Sequence, residues 1–219
     1  MYKANNVYFH KDLTMFKVKD YKNHQFFDAW SKKIRVDYLK PSNRLNDNDD
    51  LLASTLILTS AVDIIGTFLF SSLQKIEVKE RMFKVLNLVL NNSGYGKADK
   101  EIICEFFYTN LRSGVVHGGS TLLFEAHQPE NYKYKNIRAL IFVPENEMDP
   151  RSKAFYLNSN NGKIQNIWFN PKVFYKDLDT AFVDYCSNLN KEVKNQIGGE
   201  IKKFYFCNED IKEPSNEDK

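Results

Sequence analysis

A nearly uninterrupted apolar stretch, Leu51–Phe70, restricts most strongly what this chain can fold into. The stretch is long enough to cross a lipid bilayer as a helix. However, Asp63 lies near its centre, and a carboxylate at that depth costs about 2.5–3.5 kcal/mol on insertion. Hydroxyl side chains add to its polarity: Ser54, Thr55, Thr59, Ser60 and Thr67. The stretch therefore predicts a helix buried in a soluble bundle, from Leu51 to about Leu73, and no membrane partner.

Four other segments place apolar residues three or four positions apart, which is the pattern of an amphipathic helix. They cover residues 20–39, 81–91, 99–111 and 171–193. We expect Pro41 to end the first of these helices. Residues 42–50 are then expected to form a polar loop, whose acids offer caps to the next helix. Together with the buried stretch, the four segments predict a helical bundle.

The apolar pattern changes its period before the last of these helices. Runs of β-branched and aromatic residues predict strands at residues 121–124, 136–143, 153–157 and 164–169. Asn161 and Gly162, between the last two runs, are typical of a tight hairpin turn. The runs predict a small antiparallel β-sheet inserted before the last long helix. Gly198 and Gly199 predict a break in the chain after that helix.

The predicted elements describe a single domain of the α+β class that is mainly helical. Of the 219 residues, 42% are hydrophobic and 27% are charged, which excludes a collagen-like or fully disordered chain. We expect the domain to cover residues 1–195, with the β insertion at about residues 121–169. Residues 196–219 are expected to form a C-terminal extension that is acidic and partly disordered at its end.

Charge and cysteine content bear on partners and location. The net charge of +3 does not by itself indicate nucleic-acid binding. Residues 1–44, however, hold ten Lys or Arg against four Asp, which predicts a basic face. The three cysteines lie far apart, and the first residues lack the apolar core of a secretory signal. We therefore expect a cytoplasmic protein with reduced thiols.

Residues 106–120, FFYTNLRSGVVHGGS, place an arginine and a histidine at the end of an apolar helix. The imidazole of His117 can move the proton of a ribose 2′-hydroxyl, and the guanidinium of Arg112 can stabilise charge on phosphate oxygens. Gly118 and Gly119 would let a substrate backbone approach closely. The sequence carries no metal-binding motif, so we expect neither a metal nor a cofactor.

Geometry leaves a structural role for this pair open. In an unbroken helix the two side chains point about 140° apart. Either Gly114 loosens the turn between them, or a second subunit completes the site. In the alternative interpretation, Arg112 caps helix carbonyls and His117 is an interfacial histidine in an inactive bundle.

The run RSGVVH, from Arg112 to His117, resembles the signature of the HEPN family, in which Arg is followed by four to six residues and then His. The resemblance extends to the Leu51–Phe70 helix, to the chain that follows it as far as Tyr95, and to the helix after the insertion. HEPN domains are helical bundles, and their catalytic members are metal-independent endoribonucleases that act as dimers. The resemblance therefore implies a HEPN-like bundle with RNA as its substrate, a homodimer and no cofactor.

Carried over to this sequence, the resemblance implies that Arg112 and His117 are catalytic and that Ser113 is an auxiliary hydrogen-bond donor. Family members serve as toxins, phage-defence effectors and CRISPR-associated nucleases, which implies an antitoxin or another partner protein. Active members usually carry Asn, Asp or His at the position of Ser113. Toxins neutralised by a nucleotidyltransferase antitoxin often carry Tyr at the position of Gly119. The alternative function is a non-catalytic HEPN-like module for dimerisation or for binding protein or nucleic acid.

Asp63 is a further auxiliary candidate, since it lies within the apolar helix. A buried carboxylate needs a partner, because burial without one is costly. Two roles are open at this point. Asp63 either holds Arg112 in place, or it hydrogen-bonds to hydroxyl or backbone groups where two helices approach closely.

Overall fold

The computed structural model describes residues 6–7, 16–17, 21–71, 76–91, 93–115 and 137–206. This part of the chain is mainly helical with one three-stranded sheet, so the predicted α+β class is confirmed. The helices are α1 (Asn23–Ile34), α2 (Lys40–Asp47), α3 (Leu51–Gly66), α4 (Val78–Asn91), α5 (Lys97–Phe106), α6 (Pro171–Asn188) and α7 (Lys191–Phe206). The strands are β1 (Asn6–Val7), β2 (Phe16–Lys17), β3 (Arg138–Ile141), β4 (Phe155–Asn160) and β5 (Lys163–Phe169), of which β1 and β2 form a separate antiparallel pair.

The first helical segment runs further than the sequence predicts. α1 continues through π-helical turns, Arg35–Leu39, into α2 without a break. The prediction that Pro41 ends the helix was wrong: Pro41 lies in the first turn of α2, directly after the π-helical turns. Residues 42–47, predicted to be part of a loop, are helical. The connection to α3 is confined to residues 48–50, and Asp49 adopts a positive φ of 58° there.

α3 and its π-helical continuation, Thr67–Ser71, confirm the long helix predicted from the apolar stretch. By length and composition, Leu51–Phe70 could cross a membrane, yet half of this stretch is buried inside the protein. Four of its five hydroxyls, those of Thr55, Thr59, Ser60 and Thr67, donate to main-chain carbonyls three or four residues earlier. The burial of half the stretch within the fold agrees with the predicted core helix.

The predicted helices over residues 81–91 and 99–111 are also confirmed, and both extend beyond the predicted bounds. α4 begins at Val78, and α5 continues as a π-helical segment, Phe107–Val115. The apolar faces of α4 and of the α5 segment are fully buried, including Met82, Val85, Leu86, Ile103, Phe106, Phe107 and Leu111. The end of the α5 segment, which carries Arg112, is thereby fixed against α3.

The sheet has the strand order β3-β5-β4 and is mixed. β4 and β5 form the predicted hairpin, with Asn161 and Gly162 at φ of 50° and 73°, as a tight turn of this type requires. The prediction of a wholly antiparallel sheet was wrong, because β3 runs parallel to β5. The hairpin leaves one edge of β5 for β3, and the connection through residues 142–154 brings the chain to β4 on the opposite edge. The strand predicted at residues 121–124 lies outside the described residues.

The inner face of the sheet packs on the helices through aromatic rings. Phe155 and Phe169 lie across the strands from each other, with ring centroids 5.1 Å apart. Both contact Phe107 of the α5 segment and Phe174 of α6, at centroid distances of 5.3–6.3 Å. The sheet is therefore packed against the segment that carries Arg112.

One side chain, that of Tyr95, occupies the free edge of β4 at Phe155. The hydroxyl of Tyr95 donates to the carbonyl of Phe155 at 2.8 Å and accepts from its N–H at 2.9 Å. One hydroxyl thus satisfies both main-chain groups of Phe155, which a further strand would otherwise have to pair. Burial raises the pKa of Tyr95 to about 12.

The last two helices close the fold. α6 begins as predicted, with Pro171 in its first turn and the Asn170 side chain accepting from two main-chain N–H groups. The break predicted at Gly198 and Gly199 was wrong, since α7 runs through both. α7 packs on α1 so closely that a Cβ at position 198 would lie 1.9 Å from the carbonyl oxygen of Asn23. The expected boundary between residues 195 and 196 falls inside this helix.

Candidate functional site

Arg112 lies near the end of the π-helical segment that continues α5. Its guanidinium carbon is 5.7 Å from the centroid of the Tyr108 ring, one turn earlier on the same segment. The preceding residue, Leu111, is fully buried and anchors this turn in the core. The side chain of Arg112 is 26% exposed, so part of it reaches solvent.

The structure brings Asp63 of α3 to Arg112. One carboxylate oxygen, Oδ2, lies 3.6 Å from Nη2 of Arg112, which is ion-pair distance but longer than a hydrogen bond. The nearby hydroxyl of Thr67 donates to the main-chain carbonyl of Asp63 rather than to its carboxylate. Of the two roles that the sequence leaves open for Asp63, the geometry agrees with contact to Arg112.

A second arginine shares the same carboxylate, and sequence reasoning missed it. Nη2 of Arg81, in the first turns of α4, donates to Oδ1 of Asp63 at 3.1 Å. α3 and α4 approach closely beside this contact: a Cβ at Gly66 would lie 3.0 Å from the main-chain carbonyl oxygen of Arg81. A glycine within an apolar helix was the available signal for such an approach, but it does not say which side chain arrives.

The cluster of Asp63, Arg81 and Arg112 carries a net charge of +1. All three side chains are partly buried, at 27%, 19% and 26% exposed. A partly buried pair of like charges is unfavourable unless each charge is compensated, and one carboxylate compensates one of them. The arrangement is therefore suited to attract a further anion.

The remaining candidates can be placed only in part. Ser113 follows Arg112 in the same π-helical segment. His117, Gly118 and Gly119 lie outside the described residues. The structure thus unites Arg112 with Asp63, and the relation of His117 to this pair stays a prediction.

The two cysteines in the described part of the chain are poorly suited to chemistry. Cys104 and Cys186 are buried thiols, and burial raises the pKa of each to about 12. A thiol with so high a pKa supplies almost no thiolate near neutral pH. Among the residues that the structure describes, no three His, Cys, Asp or Glu side chains cluster as metal ligands do.

Comparison of the chain with protein-family models, with curated proteins and with solved structures finds no match. The resemblance to the HEPN family therefore rests on the sequence from Arg112 to His117 and on the helical pattern around it. A function has to be argued from these residues and from the cluster around Asp63.

Proposed function

We propose that the protein is a metal-independent endoribonuclease of the HEPN type, with Arg112 and His117 as its catalytic residues. The observation that carries this proposal is the placement of Arg112, whose partly exposed side chain contacts Asp63 at the end of a buried helical segment. A guanidinium presents donors in a planar fork that matches phosphate oxygens. Two of the proposed auxiliary residues, Asp63 and Ser113, belong to the same part of the molecule.

The proposed reaction is attack of a ribose 2′-hydroxyl on the adjacent phosphorus. His117 accepts the hydroxyl proton or donates a proton to the leaving 5′-oxygen, and a residue of the second subunit supplies the other transfer. The bond between phosphorus and the 5′-oxygen breaks as the bond to the 2′-oxygen forms. The products are a 2′,3′-cyclic phosphate and a 5′-hydroxyl, and Arg112 stabilises the charge on the phosphoryl oxygens in between.

The proposed assembly is a cytoplasmic homodimer in which α3 and the α5 segment contribute to the interface. Two leucines one turn apart on α3, Leu52 and Leu56, are 45% and 40% exposed. Apolar side chains one turn apart form a stripe that a second copy of the same helix can cover. The same helix carries Asp63, so an interface along α3 would bring two sites near one another. A toxin or a phage-defence effector is the proposed biological role.

The alternative is a non-catalytic HEPN-like module for dimerisation or for binding protein or nucleic acid. Arg112 makes two contacts that a purely structural arginine also makes, one with Asp63 and one with the Tyr108 ring. In this alternative the exposed stripe on α3 is the main functional surface, and His117 takes no part in chemistry.

One experiment separates the two functions. Purified protein is incubated with total RNA in excess EDTA, beside the His117→Ala variant. Under the ribonuclease proposal, the wild-type protein cuts RNA without a divalent metal and the variant does not. Equal cutting by both proteins, or no cutting of any RNA with or without a partner, would favour the binding module.

A further inference from the structure

We propose that Arg81 and Arg112 together form a clamp for one phosphate group of an RNA backbone, with Asp63 as the anchor that both arginines share. The proposal rests on the proposed function in one respect, since it takes RNA as the ligand. It does not require that the protein cleaves that RNA. It adds Arg81, on a different helix, to the residues that contact substrate.

Both guanidinium groups contact the same carboxylate. Arg81 contacts Oδ1 of Asp63 and Arg112 contacts Oδ2, at 3.1 Å and 3.6 Å between the nearest atoms. Because the two oxygens belong to one carboxylate, the two guanidinium groups flank the same side chain. The two arginines belong to different elements, α4 and the α5 segment. The carboxylate that both contact belongs to α3, so α3 links them.

Charge favours an anion at this point. Asp63 is the one acid within ion-pair distance of either arginine among the described residues. Two carboxylates on the neighbouring elements are already paired, Glu80 with Lys84 on α4 and Glu105 with Lys79. One of the two arginine charges is therefore left for a ligand, and a phosphodiester carries one negative charge.

The buried part of the Arg81 side chain fixes its position at a cost in hydrogen bonding. Its Nε is buried and has no hydrogen-bond partner among the described residues, and a buried donor without a partner is unfavourable for the folded protein. Gly66 permits the close approach of helices that places it there. The buried stem fixes the direction of the guanidinium, while 19% of the side chain remains accessible. Such a pre-organised arginine loses little freedom on binding a phosphate.

The test measures binding apart from cleavage. A fluorescent RNA oligonucleotide with 2′-O-methyl riboses cannot be cut by 2′-hydroxyl attack, and its affinity for the full-length protein is followed by anisotropy. Arg81→Gln is expected to weaken binding about 10- to 100-fold, as loss of charge-assisted hydrogen bonds does. The slope of log affinity against log salt should fall by about 0.7. Lys163→Gln, which removes an exposed charge at the start of β5, is the control and should change affinity little.

The double variant tests the shared ligand. Because both arginines hold one phosphate, Arg81→Gln and Arg112→Gln together should cost less than the product of the single losses. Circular dichroism shows whether each variant is folded. If Arg81→Gln does not fold, Arg81→Lys replaces it: the charge next to Asp63 is kept, the fork is lost, and binding should weaken about 3- to 10-fold.

The clamp is refuted if the wild-type protein does not bind the oligonucleotide, or if folded Arg81 variants keep its affinity and salt slope. Cleavage of ordinary RNA by the wild type would then still support the proposed function. Conversely, weakened binding by the Arg81 variant supports the clamp even if the wild-type protein cuts no RNA. The two proposals therefore fail separately.

Discussion

The carboxylate of Asp63 lies 3.6 Å from Nη2 of Arg112, although the two residues belong to different helical segments. Its other oxygen accepts a hydrogen bond from Arg81 of α4. One acid of a buried helix thus ties together the two segments packed beside it.

Asp63→Asn removes the charge and keeps the shape. We expect the cleavage rate to fall about 10- to 100-fold, because the two arginines lose the anchor that positions them. The free energy of unfolding should fall by only about 1 kcal/mol, since the ion pairs are about a quarter exposed and partly screened. Asp179→Asn is the control, because it breaks an ion pair with Arg35 that lies outside this cluster. It should lower stability and leave the cleavage rate unchanged. A loss of thermal stability with an unchanged rate would make Asp63 purely structural.

His117→Ala and Arg112→Ala should each lower the rate of RNA cleavage about 10²- to 10⁴-fold, because one removes proton transfer and the other removes charge stabilisation. Cleavage by the wild type should survive EDTA and leave 2′,3′-cyclic phosphate ends. A substrate with 2′-deoxyribose at the scissile position should resist. His24→Ala removes a histidine that contacts Asn195 instead, and should leave the rate per folded molecule unchanged.

The wild-type protein should be a dimer at micromolar concentration, with twice the 25.6 kDa mass of the chain. Leu56→Glu places a charge in the exposed stripe on α3 and should shift the protein to monomers, which light scattering detects. Met148→Glu, at a residue 89% exposed in the loop before β4, should leave the dimer intact. A strictly monomeric wild type at this concentration would count against the assembly and against the shared cleft.

Gly198→Ala should destabilise the protein by about 1–3 kcal/mol, measured by denaturant unfolding, because the new Cβ would overlap the main chain of Asn23. The gain in helix propensity, about 1 kcal/mol, offsets part of this cost. Gly199→Ala is the matched control. Its Cβ would meet the end of the Asn23 side chain at 3.0 Å, and that side chain can move. If Gly198→Ala is as stable as Gly199→Ala, the close contact of α1 and α7 is not required.

Tyr95→Phe should lower stability by about 1–3 kcal/mol at neutral pH, since it leaves both main-chain groups of Phe155 without the hydroxyl. The effect should depend on pH. Burial raises the pKa of Tyr95 to about 12, above the ordinary value near 10 in the unfolded chain. The stabilisation is therefore complete below pH 10 and is lost as pH rises toward 12. Unfolding curves of wild type and variant should converge over this range; a constant difference would contradict the assignment.

Periodicity predicted most of the helices because each one buries a continuous apolar face. It failed where packing overrides local preference. Pro41 would end an isolated helix, yet the π-helical turns before it let the chain continue. Gly198 would weaken an isolated helix, yet its missing side chain is what allows α7 to pack on α1. The parallel direction of β3 could not be predicted, because the order of strands in a sheet is not local information.

The candidate site was predictable only in its outline. The spacing of Arg112 and His117 and the position of Asp63 in an apolar helix were visible in the sequence. Arg81 was not, since an arginine in the first turns of an amphipathic helix is ordinary surface composition. It became a candidate because α4 packs beside α3 and brings Arg81 to Asp63, and no short-range pattern encodes that packing.

The packing of α7 on α1 has a consequence for biosynthesis. Phe26, Phe27 and Trp30 of α1 are fully buried, and lysines of α7 lie over the rings of Phe26 and Phe27. A growing chain therefore leaves Phe26 and Phe27 without these contacts until α7 has been synthesised. Until then these side chains form an apolar surface on the nascent chain, of the kind that chaperones bind.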